Sequence, residues 1–324
     1  MPTAPPRTTR GVARSDATVG HRPFALVLAG GGARGAAHAG VLRALEADGL
    51  RPAAIVGVSM GAIVGAAYAL NPNWYRDFAN VDLSGVPGLA LESAADRASR
   101  LRAALASGRV LRHLLLRWGP LTHARPAMEV VLDTLTLGRH IEEGRIPFAA
   151  VATDLGNGRR VVLDRGSATE AAYASSALAG VLPPARRSGT LLADGCYADL
   201  VPVDVARTLG ADTVIVVNPH AGPPSDLPRN GLQAIMRAME ISVGQRARDR
   251  LRDADLELRV HFPVPVATID FTHHRACIAA GVRAVRAQRA ELAALLCPAA
   301  AGAPRTAHRD RLADLEREAR RAVV

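Results

Sequence analysis

Gly57-Val58-Ser59-Met60-Gly61 is a G-x-S-x-G set between a short apolar run, Ala53–Val56, and a stretch of helical composition, Met60–Ala69. A tight strand-to-helix turn of this kind strains the serine backbone and lifts its hydroxyl clear of its neighbours, which is the posture of a nucleophile. Gly57 and Gly61 lack the β-carbons that would collide as strand and helix close on each other. Just upstream, Phe24–Ala29 reads as a buried strand and runs into Gly30-Gly31-Gly32-Ala33-Arg34-Gly35. Successive glycines leave main-chain amides unshielded, and the helix they open points its positive end the same way. Such a loop binds negative charge, either a phosphate or the oxyanion of a tetrahedral acyl intermediate. The same glycines spell a G-x-G-x-x-G, but a dinucleotide site wants an acid at the end of the second strand, and Ile55-Val56-Gly57-Val58 offers none.

A serine needs a base, and two arrangements compete. A Ser-His-Asp triad would draw on Asp212 or Asp255 with His261, His273 or His274, in the order serine, acid, histidine. Ser59 lies early for that class, on the second strand, and none of these histidines stands in a glycine-flanked loop at a strand end. The other candidate is a carboxylate acting directly. Leu191-Leu192-Ala193-Asp194-Gly195 places an aspartate at the end of a short apolar strand, expected on the same sheet edge as the elbow. An ordinary aspartate, with a pKa near ~3.9, is a weak base at neutral pH, and burial would raise it toward usefulness. Asp-Gly is equally a common turn cap, so spacing alone leaves the role of Asp194 open.

The elements that must position these residues follow from periodicity. Strand, helix, strand, helix over residues 24–70 argues for a parallel sheet with right-handed crossovers. Phe148–Thr153 and Arg160–Leu163 read as a hairpin across Asn157-Gly158, and Ala168–Leu178 as a helix. Thr190–Ala193 is a strand, Pro202–Leu209 a helix, and β-branched Thr213–Val217 a central strand. Leu232–Leu251 is an amphipathic helix, Leu256–Phe262 a late strand, and Arg275–Leu296 one long helix. Residues from about 74 to 145 form a helical insert, with Ala127–Leu135 as one helix. In its Arg97–Trp118 portion six arginines stand against Glu92 and Asp96 from Leu89 onward. That face either meets water or settles on anionic lipid headgroups. Residues 1–22 read as a disordered tail, and 298–324 as a partly helical appendage in which Thr306–Ala322 forms an exposed helix.

Composition narrows the classes. Of 324 residues 49% are hydrophobic but only 3% aromatic, so the core is built from Ala, Leu and Val. The formal charge of +10 comes entirely from arginine, and aromatics for base stacking are scarce, which argues against nucleic acid as a partner. Cys196, Cys277 and Cys297 are odd in number and widely spaced, giving neither a disulfide framework nor a metal site. His273-His274 with Cys277 has no second cluster to complete a metal centre. No run approaches the ~18 apolar residues of a membrane span, and residues 1–22 lack the apolar core of a secretory signal. A cytoplasmic protein, in at most peripheral contact with the inner membrane surface, is the expectation.

Gly30–Gly35, Gly57–Gly61 and Asp194-Gly195, in that order, resemble the three signature blocks of the patatin-like phospholipase family. Val151-Ala152-Thr153-Asp154-Leu155 and Ala174-Ser175-Ser176-Ala177 are similar to further stretches of its bacterial members. The resemblance spans residues 24–297. It implies a three-layer α/β/α fold with a mostly parallel sheet, a catalytic domain over 23–297, and a Ser59–Asp194 dyad in place of a triad. It also implies an oxyanion hole along Gly30, Gly31, Gly32, Ala33, Arg34 and Gly35, with amides of Gly31, Gly32 and Arg34 as donors. The implied activity is hydrolysis of lipid carboxyl esters with neither metal nor organic cofactor. Three positions depart from the family pattern: Cys196 follows Asp194-Gly195 where glycine or alanine is usual, Leu200 stands where an asparagine is frequent, and Ala179 replaces a proline. Those departures leave room for a non-catalytic lipid-binding protein on the same fold.

Overall fold

β1 (Phe24–Leu28) is buried along its whole length because it lies at the centre of a sheet covered on both faces. Phe24, Leu26 and Leu28 enter one core layer, while Ala25 and Val27 enter the other, as the two-residue period of a strand requires. The computed structural model describes residues 21–81, 124–220, 227–228, 231–297, 315–317 and 319. The expected basic stretch Arg97–Trp118, the tail before residue 21 and most of Thr306–Ala322 lie outside the described residues.

Among the described residues the sheet has eight strands in the order β5-β6-β3-β2-β1-β7-β8, with β4 also paired to β3. Its remaining strands are β2 (Ala54–Val58), β3 (Phe148–Asp154), β4 (Arg160–Leu163), β5 (Ala185–Arg187), β6 (Thr190–Asp194), β7 (Thr213–Asn218) and β8 (Leu256–Arg259). β3, β2, β1, β7 and β8 run parallel. β4, β5 and β6 make antiparallel pairings at one flank, so the sheet is mixed. β5, too short and polar to carry a strand signal, was not expected.

One face is covered by α1 (Ala37–Ala47), α2 (Met60–Leu70), α3 (Trp74–Ala79), α4 (Arg125–Thr136) and α5 (Ala168–Ser176). The other carries α6 (Val203–Thr208) and α7 (Gly231–Leu251). The long helix expected over Arg275–Leu296 is two, α8 (His274–Ala287) and α9 (Arg289–Leu296). The break falls at Gln288, whose side chain donates to the Arg259 carbonyl at 3.0 Å and accepts from the Arg259 amide at 3.2 Å. A side chain that stands in for a neighbouring strand at the end of β8 outweighs helix continuity. β8 stops at Arg259 rather than reaching Phe262. The described C-terminal residues are less exposed than expected: Leu315 and Ala319 are buried in the core and Glu316 is paired to Arg283 at 2.9 Å.

β3 settles the geometry of the site. Along one of its edges it pairs with β4 throughout Ala150–Thr153. Along the other it pairs first with β2, up to Val58 opposite Val151, and then with β6, from Asp194 opposite Ala152. β2 and β6 thus approach from opposite directions and meet end to end. The residue that follows β2 is Ser59 and the residue that ends β6 is Asp194.

Candidate active site

Ser59 is the residue between β2 and α2, with φ 55° and ψ −123°. A non-glycine residue there carries strain of order 1–3 kcal/mol and persists only where its surroundings over-determine it. They do. The Ser59 carbonyl accepts the amides of Ala62 at 2.9 Å and Ile63 at 3.2 Å. Its amide donates to Ser175 Oγ at 2.9 Å, and that hydroxyl donates in turn to the Val151 carbonyl at 2.6 Å. Gly61 lets α2 lie on β1, for a β-carbon there would stand 2.1 Å from the Leu28 carbonyl oxygen, and one on Gly57 would stand 2.5 Å from Ala62 Cα.

The Ser59 hydroxyl donates to Asp194 Oδ2 at 2.6 Å. Asp194 Oδ1 accepts the Cys196 amide at 2.9 Å, and its main chain is held by Ala177 and Thr153. Asp194 is 2% exposed and Ser59 9%. Burial pushes the Asp194 carboxyl above its ordinary range, and hydrogen bonds from Ser59 and Cys196, rather than a cation, pull back against it. The Cys196 thiol is pushed well up by burial and by Asp194 beside it, so it remains a protonated neighbour of that carboxylate.

Asp194 was expected on the same sheet edge as the elbow because it ends a short apolar strand. It reaches that edge because β6 is antiparallel and starts beyond the edge, so that its last residue lies level with the elbow. The acids of the triad alternative are elsewhere. Asp212 and Asp255 directly precede the parallel strands β7 and β8, at the amino edge of the sheet. Asp255 accepts the Val214 amide at 2.7 Å, His273 faces Asp270 at 3.6 Å, and buried His274 bonds the Phe78 carbonyl at 3.2 Å. None of the triad histidines hydrogen-bonds Ser59, whose hydroxyl donates to Asp194.

Gly30, Gly31, Gly32 and Arg34 line one cavity together with Ser59 and Asp194. The loop does not open directly into α1, since a 3-10 turn over Gly32–Ala36 intervenes. Gly32 sits at φ +53° with the Thr268 carbonyl where a side chain would be, and the Ala33 amide donates to that carbonyl at 2.7 Å. Ala33 is therefore committed, and Gly35 serves packing, a β-carbon there falling 2.6 Å from that of Met60. Arg34 and Gly35 lie within the turn, where amides pair with carbonyls three residues back, which leaves Gly30, Gly31 and Gly32 at its open end. The Arg34 side chain braces the loop, donating to Glu240 on α7 at 2.8 Å and to Thr268 at 3.3 Å. Thr268 also bonds Glu240, closing a three-residue clasp.

The cavity measures about 510 Å³ and is walled mainly by apolar side chains, with Ile63, Met128, Leu132 and Leu135 on the α2–α4 side and Met239 and Val243 from α7. Leu200 lies over Gly30, its Cδ1 within 2.8 Å of where a β-carbon on that glycine would be. Among the described residues no group of His, Cys, Asp and Glu is arranged to hold a metal ion.

Comparison with known proteins places the chain in a family. The family model for patatin-like phospholipase matches residues 26–207, more than half of the chain and including both Ser59 and Asp194. The chain belongs to the patatin-like phospholipase family. Patatin-like phospholipase domain-containing protein 6 of Mus musculus is 33% identical over 212 residues, 64% of this chain but 14% of that protein. Lysophospholipase NTE1 of Cryptococcus neoformans is 34% identical over 193 residues, 60% of this chain and 11% of that protein. The chain thus spans a small fraction of the length of these curated relatives. The solved structure of VipD from Legionella pneumophila aligns with a TM-score of 0.44 at 16% identity, covering 82% of this chain and 67% of that one.

The patatin-like frame brings together Ser59, Asp194 and the glycines named from sequence. Ser175, Thr153, His38 and His220 were given no role, although Ser175 and Thr153 lay in stretches similar to the family's. His220 carried a weak signal: Asn218-Pro219-His220 follows a central strand at the edge where such sheets place their functional groups.

Proposed function

We propose that this protein is a lipid acyl hydrolase in which Ser59 is the nucleophile, Asp194 the base, and the amides of the Gly30–Gly32 segment the oxyanion donors. The observation that carries the reading is the 2.6 Å hydrogen bond from Ser59 Oγ to a buried carboxylate beside the glycine loop. Attack on an ester carbonyl forms the Ser59 Oγ–C bond as the hydroxyl proton passes to Asp194 and the carbonyl electron pair becomes the oxyanion. Collapse expels the alcohol, which takes the proton back from Asp194. The same carboxylate then activates water, which releases the fatty acid and restores the serine. Burial suits Asp194 to this work, since a carboxyl raised above its ordinary range is a better base near neutral pH.

An apolar cavity of about 510 Å³ at the nucleophile supports a lipid acyl chain as its occupant. Relatives named phospholipase and lysophospholipase support a phospholipid or lysophospholipid ester. Peripheral contact with an anionic membrane belongs to the same proposal, and the basic stretch that motivates it lies outside the described residues. Hydrolysis of a short p-nitrophenyl ester by wild type, Ser59→Ala and Asp194→Asn tests the reading. Both variants are expected to fall by about 10⁴-fold or more in kcat. Equal trace rates in all three proteins would point instead to a lipid-binding protein that keeps the fold. Digestion of a lipid extract followed by mass spectrometry identifies the ester.

A further inference from the structure

Three successive glycines are the softest backbone a chain can offer, yet an oxyanion hole works only when its amides are already aimed. Something outside the loop must therefore hold it. Two histidines do so by its carbonyls. His38, on α1 and 0% exposed, bonds the Ala29 carbonyl through Nε2 at 2.7 Å. His220, two residues beyond β7, bonds the Gly30 carbonyl through Nε2 at 2.9 Å, with its own amide anchored on Asn218 Oδ1 at 2.9 Å. A carbonyl only accepts, so each Nε2 carries the hydrogen. Burial, and for His220 also the neighbouring Arg34 guanidinium, lowers both rings to a pKa of about 4, so they are neutral donors at pH 7. Among the described residues His38 Nδ1 has no hydrogen-bond partner. A buried polar atom left unpaired is a standing cost that an apolar residue would avoid, so the Nε2 contact is what this residue supplies.

A trans peptide is planar, and its C=O and N–H point in opposite directions. All peptide bonds among the described residues are trans. Fixing the carbonyls of Ala29 and Gly30 therefore fixes the amides of Gly30 and Gly31. These peptides flank the nucleophile, since a β-carbon on Gly30 would stand 3.5 Å from that of Ser59. We propose that His38 and His220 are positioning residues that hold the two peptide units between Ala29 and Gly31 so that their amides face the oxyanion formed at Ser59. The proposal rests on the hydrolase reading above.

The test compares His220→Leu, which removes the donor, with His220→Gln, whose side-chain amide can replace it. Each is assayed for kcat and KM on a p-nitrophenyl ester. Each is also assayed for binding of a long-chain alkyl trifluoromethyl ketone, which adds to the serine as a hemiketal oxyanion, and of the matching alkyl ether, which has no carbonyl. His220→Leu is expected to lose roughly 10- to 100-fold in kcat with KM within about twofold, and to lose affinity for the ketone in step while keeping that for the ether. His220→Gln is expected to recover most of both losses. His38→Leu, where thermal unfolding shows it folded, is expected to follow the same pattern. Unchanged kcat and ketone binding in His220→Leu would overturn the proposal, as would an equal loss of ether affinity that His220→Gln does not repair. Ser59→Ala run alongside separates the two readings. If it hydrolyses the ester like wild type, the hydrolase reading and this proposal fall together, whereas an inactive Ser59→Ala beside an unaffected His220→Leu removes this proposal alone.

Discussion

Asp194 carries the chemistry proposed here at the expense of folding stability. Its carboxyl is raised in the folded protein by burial, so the folded state binds its proton more tightly than the unfolded state does. The stability attached to that proton is whole below the ordinary carboxylate pKa and is lost as pH rises through the raised value. Above that value the protein holds a buried charge, which hydrogen bonds from Ser59 and Cys196 stabilise. Asp194→Asn keeps the shape and an acceptor for Ser59 without the charge, and is expected to raise Tm at a pH above that value while hydrolysis disappears. Differential scanning calorimetry beside the ester assay reads both, and a lower Tm would show that the hydrogen bonds to the carboxylate outweigh its desolvation. In wild type the acid limb of kcat is expected above the ordinary carboxylate range, because only the ionised form accepts the serine proton.

The element that makes Ser59 available is the β2–α2 elbow, and its weakest point is a single hydroxyl. Ser175 Oγ, from α5, takes the Ser59 amide and gives its hydrogen to the Val151 carbonyl, tying elbow, α5 and β3 together. Ser175→Ala leaves a buried donor and a buried acceptor unpaired, with an expected loss of about 2–4 kcal/mol of unfolding free energy in urea titration. Activity should fall with it, since the strained φ of Ser59 loses one of its restraints. Gly61→Ala is the more severe change at the same elbow. The new β-carbon meets strand backbone at Leu28 rather than a flexible side-chain tip, so relief requires α2 to move off β1. A loss of about 3 kcal/mol or more is expected by the same titration. An alanine variant as stable as wild type would mean that the helix shifts at little cost.

Across the whole molecule, acid is a threat through the buried histidines. His38 falls from an ordinary 6.5 to about 4 in the folded state, and His220 and His274 are lowered too, all by burial. A lowered folded pKa means that the unfolded chain takes up protons first. Stability is therefore whole above about pH 6.5 and drains away as pH falls toward 4, by an amount of order 3 kcal/mol for His38. Asp194 works in the opposite direction. Tm measured from pH 7.5 down to 4.5 is expected to fall steadily, and a flat profile would contradict the burial of these rings. At the C-terminal end, Leu315, Ala319 and Glu316 are attached to the same core.

The amino-acid sequence by itself determined what neighbours along the chain decide: the elbow, whose glycines and serine stand within five residues, the glycine loop, and the alternation that makes β1 and β2 central strands. Asp194 could be named because Asp-Gly closes an apolar run and matches a family block, but its residues alone left it equally a turn cap. Tertiary structure decided its place, through an antiparallel β6 that takes over the edge of β3 where β2 stops. No local signal encodes that handover, because strand direction depends on how a long connection returns to the sheet. His38 and His220 were illegible for the same reason, since a histidine's part is set by which carbonyl it meets. The break at Gln288 likewise arose from a contact with β8 that helix periodicity does not register. Conformational demands are written in adjacent residues, whereas partnerships between distant ones exist only once the chain has closed.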